Sequence, residues 1–547
     1  MRIKRLLVIL LVLSMLTGSV SMLAAAQETE VPEQEMKVPG EFVTAEGMEE
    51  EQDLFAAYVE KQMYANPNIS LFSGNYAELV LDELNYAIYQ ELKTNIERIA
   101  KEGGSAVVDI PESVYGDQFV VTWQETQDAT VAAVKAKVQE KIHTKLILEC
   151  LLVDCPYELY WFDKTEGFSV PYLIYEYPGQ YLDVQDLQFK FCVEEGYQAT
   201  EYDTNNPAVK SDVSAVSSAI ENAKMVVAAN ATKTDREKLV AYKEYICNAV
   251  DYNDGVVDGN VDYGDPWQLV YVFDNNPETN VVCEGYSKAF QYLCELSTFY
   301  DDAFASYIVS GTSTMYHPIQ GEPSGGAHMW NVVTLGGVNY LVDVTDSDVN
   351  GIGERVFMVL NPEGGTAEGY QIAIDSNNVL EYLYGEDDIV LYSDSIRTLS
   401  DKATYAVILG AQGSGTVRTK NKYVKANTQV DLNDATAVSV QAERGYRFAR
   451  WETYADGVLL NENRFTMPAK DVSIQAIFVA WLMGDLDAND VVGEEDVELL
   501  KAFLTGGYTT EDTYPMEFYQ EGEISSRNLV RLKRYVDGNI ESLEVLQ

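Results

Sequence analysis

Histidine, cysteine and positive charge are all scarce in this chain of 547 residues. It has three histidines and six cysteines, and its 87 acidic against 38 basic residues give a formal net charge of −49. Six cysteines are too few for a disulfide scaffold, although Cys150 could pair with Cys155 and Cys192 with Cys247. None of them shows the spacing of zinc ligands. Because so acidic a chain repels nucleic acid and anionic membranes, the composition argues against a nucleic-acid-binding protein.

Long apolar runs are also scarce, and the clearest one lies at the N-terminus. Residues 1–26 begin with the basic segment Met1–Arg5, continue with an apolar run over Leu6–Leu16, and end in small residues at Ala24–Ala26. This order is typical of a cleaved secretory signal peptide, and the alternative is an uncleaved membrane anchor. No later run of about 18 apolar residues follows. We therefore expect a secreted, extracellular protein with no stable membrane association after cleavage.

Changes in composition along the chain predict a multidomain α+β protein. Residues 27–52 are acidic and interrupted by proline and glycine, which indicates a flexible leader. Residues 53–204 combine helical periodicity with aromatic runs such as Tyr157–Phe162, which predicts an α+β support domain with a strand at that run. Residues 205–400 hold the motifs with chemistry. Residues 401–480 alternate apolar and polar side chains between glycine turns, as in a small β domain.

Three motifs within residues 205–400 carry the elements of thiol chemistry. Cys283 opens a predicted helix in VCEGYSKAF, His328 follows 45 residues later in GGAHMWN, and Asp343 lies 15 residues beyond in VDVTD. Thiol acyl transfer needs a nucleophile, a base that takes its proton and a carboxylate that orients the imidazole. The turn Gly336-Gly337 predicts a hairpin that makes His328 and Asp343 diagonal cross-strand neighbours. A helix N-terminus favours a thiolate at Cys283, and the free N–H of this residue can help to stabilise an oxyanion.

Together with their flanking residues, these motifs resemble the bacterial transglutaminase-like superfamily over about residues 235–350. The resemblance implies a papain-like core in which Cys283 is the nucleophile, His328 the general base and acid, and Asp343 the orienting residue. Members include peptide-bond hydrolases and enzymes that join glutamine side chains to amines. The motif departs from the family at Met329, where a small residue is common.

Other interpretations of the same residues compete with this one. From spacing alone, the three residues could be an unrelated buried cysteine, core histidine and surface aspartate. His317 competes with His328 for the role of base, but it precedes Pro318 and lacks the Trp-Asn sequence that follows His328.

Residues 481–547 contain two loop–helix segments, and the first loop has the spacing of a calcium site. Oxygen-bearing side chains occupy loop positions 1, 3, 5 and 12, namely Asp485, Asp487, Asn489 and Asp496. Ca²⁺ takes six to eight oxygen ligands from such loops, so we expect a structural calcium ion. Position 6 is usually glycine and is Asp490 here, one of the few side chains that tolerate a left-handed backbone. The alternative is an acidic, solvated loop that precedes a helix.

Two resemblances extend this domain organisation. Residues 481–547 resemble a dockerin, the module that attaches secreted enzymes to a cohesin-bearing scaffold protein. In the second loop, Glu517–Asn528, Tyr519 stands where a ligand is expected, so calcium binding there is open. Residues 401–480, and within them 405–479, resemble an internalin-type bacterial β repeat, for which a spacer or adhesion role is expected.

The sequence thus predicts a secreted, cysteine-dependent acyl-transfer enzyme with no cofactor in catalysis. The first hypothesis is a peptidase or amidase with protein or peptide substrates, docked to a cellulosome-type scaffold that can hold it at the cell surface. If an amine intercepts the same acyl-enzyme, the protein is a crosslinking transglutaminase. The third hypothesis is a catalytically inactive, scaffold-bound adhesion or binding protein.

Overall fold

The computed structural model describes residues 34–38, 42–43, 77–78 and 81–544, and the predicted signal peptide at 1–26 lies outside this part. Within 81–544 the description has gaps at 156, 165, 178–179, 201–202, 258–267, 318–322, 349–351, 361–365, 386–391, 393, 455–456 and 521. The described chain is a mixed α+β structure, as the sequence predicts.

Helices are distributed over the N-terminal, central and C-terminal parts of the chain. The described α-helices are α1 (Glu83–Glu102), α2 (Glu112–Tyr115), α3 (Gln127–Lys141), α4 (Thr144–Asp154), α5 (Ser214–Asn230), α6 (Asp235–Ala249), α7 (Asp254–Val257), α8 (Gln268–Val272), α9 (Cys283–Glu295), α10 (Val344–Asp348), α11 (Asp394–Arg397), α12 (Glu494–Leu504) and α13 (Ser526–Val536). Over the residues that are described, none of them combines the length and the apolar character needed to cross a bilayer.

The N-terminal unit is built around two four-stranded sheets, ordered β1-β7-β8-β5 and β2-β6-β9-β4, and a short pair β10-β3. Its strands are β1 (Gln34–Val38), β2 (Phe42–Val43), β3 (Gly104–Ser105), β4 (Val107–Asp109), β5 (Val121–Thr122), β6 (Phe168–Ser169), β7 (Tyr172–Tyr177), β8 (Tyr181–Gln185), β9 (Gln188–Phe191) and β10 (Ala208–Val209).

Two sequence predictions for this unit are wrong. Strands β1 and β2 lie inside residues 27–52, where we expected a flexible leader. β1 pairs antiparallel with β7, and Met36 and Val38 have the period-two spacing of a strand. The run Tyr157–Phe162 forms turns rather than a strand, with one isolated bridge from Phe162 to Val193. Its aromatic residues at 160–162 are all buried, so their density reflects burial on every side.

The central unit is a six-stranded antiparallel sheet of order β14-β13-β12-β11-β16-β15. Its strands are β11 (Ala305–Tyr316), β12 (Ser324–Leu335), β13 (Val338–Val342), β14 (Phe357–Val359), β15 (Gly369–Ala373) and β16 (Val379–Tyr384). The predicted hairpin is present: β12 and β13 are joined by Gly336 and Gly337, which both have positive φ angles, 61° and 70°. The positive φ is the conformation that only glycine adopts without strain.

Helix α9 packs its apolar face into the core that surrounds this sheet. The members of this face are fully buried: Tyr286, Ala289, Phe290 and Leu293. The same core continues without interruption into the N-terminal unit and includes Trp161 and Phe189. The N-terminal unit therefore shares its interior with α9 rather than forming a separate body.

The β unit at residues 404–480 has a sheet of order β19-β17-β24-β22 and two strand pairs, β18-β21 and β20-β23. Its strands are β17 (Thr404–Gln412), β18 (Gly415–Thr419), β19 (Tyr423–Lys425), β20 (Gln429–Asp431), β21 (Val438–Ala442), β22 (Tyr446–Thr453), β23 (Arg464–Thr466) and β24 (Val472–Ala480). It has its own core, as does the C-terminal unit, in which α12 and α13 meet through Leu500 and Leu532. All six cysteines of the chain carry free thiols, so neither pairing left open by the sequence is formed.

Candidate active site and metal site

Cys283 is the first residue of α9 and lies almost entirely inside the protein, with 5 % of its surface exposed. Val282, in extended conformation, caps the helix without a side-chain hydrogen bond. The first N–H groups of a helix have no acceptor within the helix, and they carry its positive dipole end. The N–H of Cys283 is one of these groups, so it is available to a negatively charged oxygen beside the thiol.

His328 and Asp343 are in direct contact. The Nε2 of His328 donates to the Oδ2 of Asp343 at 2.7 Å, and Asp343 is fully buried. The sheet register pairs Asn331 with Val342, which makes His328 and Asp343 the diagonal neighbours that the hairpin predicts. The strand β13 ends at Val342, and Asp343 begins the turn into α10. The complete burial of Asp343 excludes the interpretation of this residue as a surface aspartate.

The surroundings of His328 favour its protonated form. Burial lowers the pKa of the imidazole, but the charge and hydrogen bond of Asp343 and the nearby side chain of Cys283 outweigh it and hold the pKa well above its ordinary value. Since Asp343 engages Nε2, the other ring nitrogen, Nδ1, is the one left for the thiol. The indole of Trp330 stacks on the imidazole with ring centroids 6.0 Å apart. The histidine is therefore held between a carboxylate and a thiol.

Asp343 is fixed by more donors than the sequence suggests. Its Oδ1 accepts the backbone N–H of Asp346 at 2.9 Å, which caps α10, and its Oδ2 accepts the hydroxyl of Tyr382 at 2.6 Å. Tyr382 lies on β16 and is fully buried. A Cβ at Gly311, on the intervening strand β11, would lie 2.0 Å from the Leu383 carbonyl, so the glycine permits the close approach of β16. No local pattern predicts Tyr382, because it follows Asp343 by 39 residues.

Asp346 is a second carboxyl group beside Asp343. Burial and the charge of Asp343 raise its pKa from 3.8 to about 7. One ligand atom each of His328, Asp343 and Asp346 lie within 4.8 Å of one another, which is close enough to surround a metal ion. However, the Oδ2 of Asp343 already accepts from His328 and from Tyr382. The donor set of this cluster therefore fits a proton network better than a metal centre.

Glu284, the neighbour of Cys283, links α9 to the N-terminal unit. Its carboxylate pairs at 2.6 Å with both Lys164 and Lys288 and is almost fully buried. Burial raises the pKa of Glu284, but the two lysines outweigh it and lower the pKa to about 2. The spacing of Glu284 and Lys288 is a helical i,i+4 pair that the sequence contains, whereas Lys164 is 120 residues away.

His317, the alternative base, has a different environment. Its Nδ1 is hydrogen-bonded to the Oδ1 of Asn378 at 2.6 Å, so its partner is an amide and not a carboxylate. Of the two candidates, His328 is the one that the structure places against both Cys283 and Asp343.

The first loop of the C-terminal unit gathers three predicted calcium ligands. Carboxylate oxygens of Asp485, Asp487 and Asp496 lie within 4.8 Å of one another, and Asp485 and Asp496 are fully buried. Asn489 lies beside them, and its Nδ2 donates to Asp487 at 2.9 Å. Asp490 at position 6 has a φ of 66°, which confirms the predicted left-handed turn.

The three clustered carboxylates are held by backbone N–H groups and not by basic side chains. Asp485 accepts from the N–H groups of Asn489 and Asp490, and Asp496 accepts from that of Leu486. The ion pairs found in this part of the described chain use other acidic residues, namely Asp490, Glu494, Glu498, Glu517 and Asp537. A buried carboxylate cluster is costly unless a cation balances its charge.

Comparison with known proteins identifies one part of the chain. Residues 405–481 match the family model of the divergent InlB B-repeat domain. This match confirms the internalin-type β repeat predicted for residues 401–480. No curated protein matches the chain. The transglutaminase-like and dockerin-like resemblances stay predictions.

Proposed function

We propose that the chain is a cysteine-dependent acyl-transfer enzyme, most simply a peptidase or amidase, with a papain-like, transglutaminase-like core. The observation that carries this proposal is the position of His328 between the thiol of Cys283 and the buried carboxylate of Asp343. Three unrelated residues would have no reason to meet in this order, and the order is the one that thiol catalysis requires.

The proposed reaction begins with transfer of the Cys283 proton to His328. The thiolate then attacks the carbonyl carbon of an amide, and the N–H of Cys283 donates to the oxyanion that forms. The imidazolium gives its proton to the leaving amine as the C–N bond breaks, which leaves a thioester on Cys283. Water, deprotonated by His328, attacks the thioester and releases the acid and the free thiol. Asp343 stabilises the imidazolium in both steps.

Hydrolysis and aminolysis share this acyl-enzyme. They differ in whether water or an amine attacks the thioester, so both belong to the same proposal. The experiment below separates them.

The C-terminal unit is proposed to be a dockerin-like module that binds a structural calcium ion and attaches the enzyme to a cohesin-bearing scaffold protein. Asp485, Asp487, Asn489 and Asp496 would hold the ion, since oxygen ligands of this kind and spacing suit Ca²⁺. The fit is supported by the convergence of carboxylate oxygens from Asp485, Asp487 and Asp496, none of which forms an ion pair with a basic side chain among the described residues. When bound, the ion would neutralise the buried charge and order the start of α12.

The decisive experiment is the pH dependence of iodoacetamide alkylation of the full chain, read by mass spectrometry for each cysteine. We expect rapid modification of Cys283 to persist well below the free-thiol pKa of about 8.5, with the other five cysteines as internal controls. Labelling of Cys283 that rises only above this pH would overturn the enzymatic proposal and favour an inactive binding protein.

Activity itself is tested on a protein substrate without a fixed fold, such as casein. Cys283→Ala should abolish both peptide release and incorporation of a labelled primary amine, whereas Cys192→Ser, a partly exposed cysteine elsewhere, should retain them. Amine incorporation that exceeds hydrolysis would assign the crosslinking reaction. Equal activity in Cys283→Ala and the parent would contradict the proposal.

A further inference from the structure

The two loop–helix segments of the C-terminal unit have the same backbone plan, offset by 32 residues. Position 6 is left-handed in both, with φ angles of 66° at Asp490 and 71° at Gly522. The N–H of this residue donates to the acidic residue at position 1, which is Asp485 in the first loop and Glu517 in the second. In both segments the side chain at position 12 accepts the backbone N–H of the residue three positions earlier, Asp496 from Gly493 at 2.7 Å and Asn528 from Ser525 at 3.0 Å. The second loop therefore keeps the shape of a calcium loop.

The side chains at two of its ligand positions, 3 and 12, do not suit calcium. Position 12 is Asn528, whose Nδ2 donates to the carbonyl of Met516 at 2.8 Å, so a donor occupies the place of a ligand oxygen. Position 3 is Tyr519, whose ring lies under the guanidinium groups of Arg527 and Arg531 at 4.5 and 5.6 Å. Two arginine side chains therefore lie against the second loop, whereas among the described residues no basic side chain pairs with Asp485, Asp487 or Asp496 of the first.

A guanidinium group pairs with the acidic residue at position 1 of the second loop. Arg444, which precedes β22 in the InlB-type repeat, forms an ion pair with Glu517, whose side chain is 4 % exposed. Thr513 donates to the other carboxylate oxygen of Glu517 at 2.7 Å, and the guanidinium of Arg444 also lies over the ring of Tyr514. The buried charge of the second loop is thus neutralised from the neighbouring unit.

We propose that Arg444 replaces a calcium ion in the second loop, so that the C-terminal module binds one calcium ion and its second loop attaches it to the β repeat. The count of one ion rests on the calcium site proposed above for the first loop, whereas the role of Arg444 does not. A second contact agrees with such an attachment, because Arg447 of β22 pairs at 2.6 Å with Asp490 at position 6 of the first loop.

The number of ions is measured by isothermal titration of the EDTA-treated full chain with CaCl₂, with native mass spectrometry as a second readout. We expect one Ca²⁺ for the parent and none for Asp485→Asn. Two ions in the parent would overturn the proposal for the second loop. No ion in the parent would overturn the calcium site of the first loop, and the role of Arg444 would then be decided by the next measurement alone.

The attachment is measured by hydrogen exchange of the amides over residues 513–524 in Arg444→Ala. Because the variant leaves the buried carboxylate of Glu517 without its cation, we expect exchange at least about tenfold faster than in the parent. The matched control is Arg450→Ala, also on this edge of the repeat, since Arg450 pairs with Glu452 of its own strand. Unchanged exchange in Arg444→Ala, or an equal increase in Arg450→Ala, would overturn the proposal.

Discussion

Two groups of buried carboxylates in this chain have their negative charge stabilised in different ways. Asp343 is surrounded by proton donors, namely the imidazole of His328 and the hydroxyl of Tyr382. Asp485 and Asp496 are held by backbone N–H groups alone and lie beside further carboxylate oxygens. The charge of Asp343 is therefore balanced by its own neighbours. The charges of Asp485 and Asp496 have no basic side chain among the described residues to balance them.

This difference separates two kinds of chemistry. A carboxylate with a titratable neighbour stabilises a charge that appears and disappears during a reaction, as the orienting residue of a triad does. Carboxylates that converge without a basic or titratable partner suit a cation that stays bound. The same residue type is therefore expected to respond to substitution, calcium and pH in different ways at the two places.

The largest effect is expected at Asp343. In Asp343→Asn an amide faces His328, so the imidazolium loses its counter-charge and kcat should fall by about 10³-fold or more. The measurement is kcat and KM in the casein assay. Asp348→Asn is the control, because Asp348 lies on α10, the short helix that Asp343 caps, but accepts from Tyr286 instead. A kcat within a few-fold of the parent in Asp343→Asn, or equal losses in both variants, would contradict the proposed role.

The effect of Asp485→Asn on the free energy of unfolding should differ in sign with and without calcium. At a calcium concentration about 100 times Kd, the parent gains about 2.7 kcal/mol, a gain that the variant should lack. Without calcium the variant should be as stable as the parent or more so, because one buried negative charge has been removed. Hydrogen exchange of the α12 amides measures both. Asp537→Asn, an exposed carboxylate that pairs with Lys533, should show the parent's calcium response; a matching response in Asp485→Asn would contradict the site.

The sequence predicts those features of both groups that depend on residues close together in the chain. The helix at Cys283, the hairpin that joins His328 to Asp343 and the left-handed turn at Asp490 each depend on residues that are close in the chain. Period, turn type and ligand spacing carry that information.

The sequence does not predict the side chains that pair with the buried carboxylates from distant segments of the chain. Tyr382 reaches Asp343 through the order of strands in the central sheet, and Lys164 reaches Glu284 from the N-terminal unit. Arg444 reaches Glu517 from a different domain. A side chain of this kind carries no local signal, since any buried tyrosine or exposed basic residue has the same pattern. Tertiary contacts alone select it.

Removal of the Tyr382 hydroxyl should test how much its hydrogen bond to Asp343 contributes to catalysis. In Tyr382→Phe, Asp343 loses a hydrogen bond to a charged acceptor, an interaction of about 1.5–3 kcal/mol, so we expect kcat to fall by about tenfold or somewhat more with KM unchanged. The acidic limb of the pH–rate profile should also move to higher pH, because the carboxylate is less stabilised. Tyr370→Phe is the control: its ring stacks on Tyr382 at 5.3 Å, but its hydroxyl is not bonded to Asp343. A tenfold loss without a change in the pH profile would indicate a structural role only.

The smallest effect is expected at Asp346, and it appears as a pH dependence of stability. Burial and Asp343 raise the pKa of Asp346 to about 7 in the folded chain, above its value of 3.8. The folded state therefore holds this proton more tightly than the unfolded state, so the contribution is fully present below about pH 4 and is lost as pH rises through about 7. Asp346→Asn lacks this titration. Urea unfolding at pH 5, 6, 7 and 8 should show the variant gaining stability relative to the parent as pH rises. A constant difference over this range would mean that Asp346 is ionised throughout, and Asp343 would then lie beside a second negative charge, as Asp485 does in the first loop of the C-terminal unit.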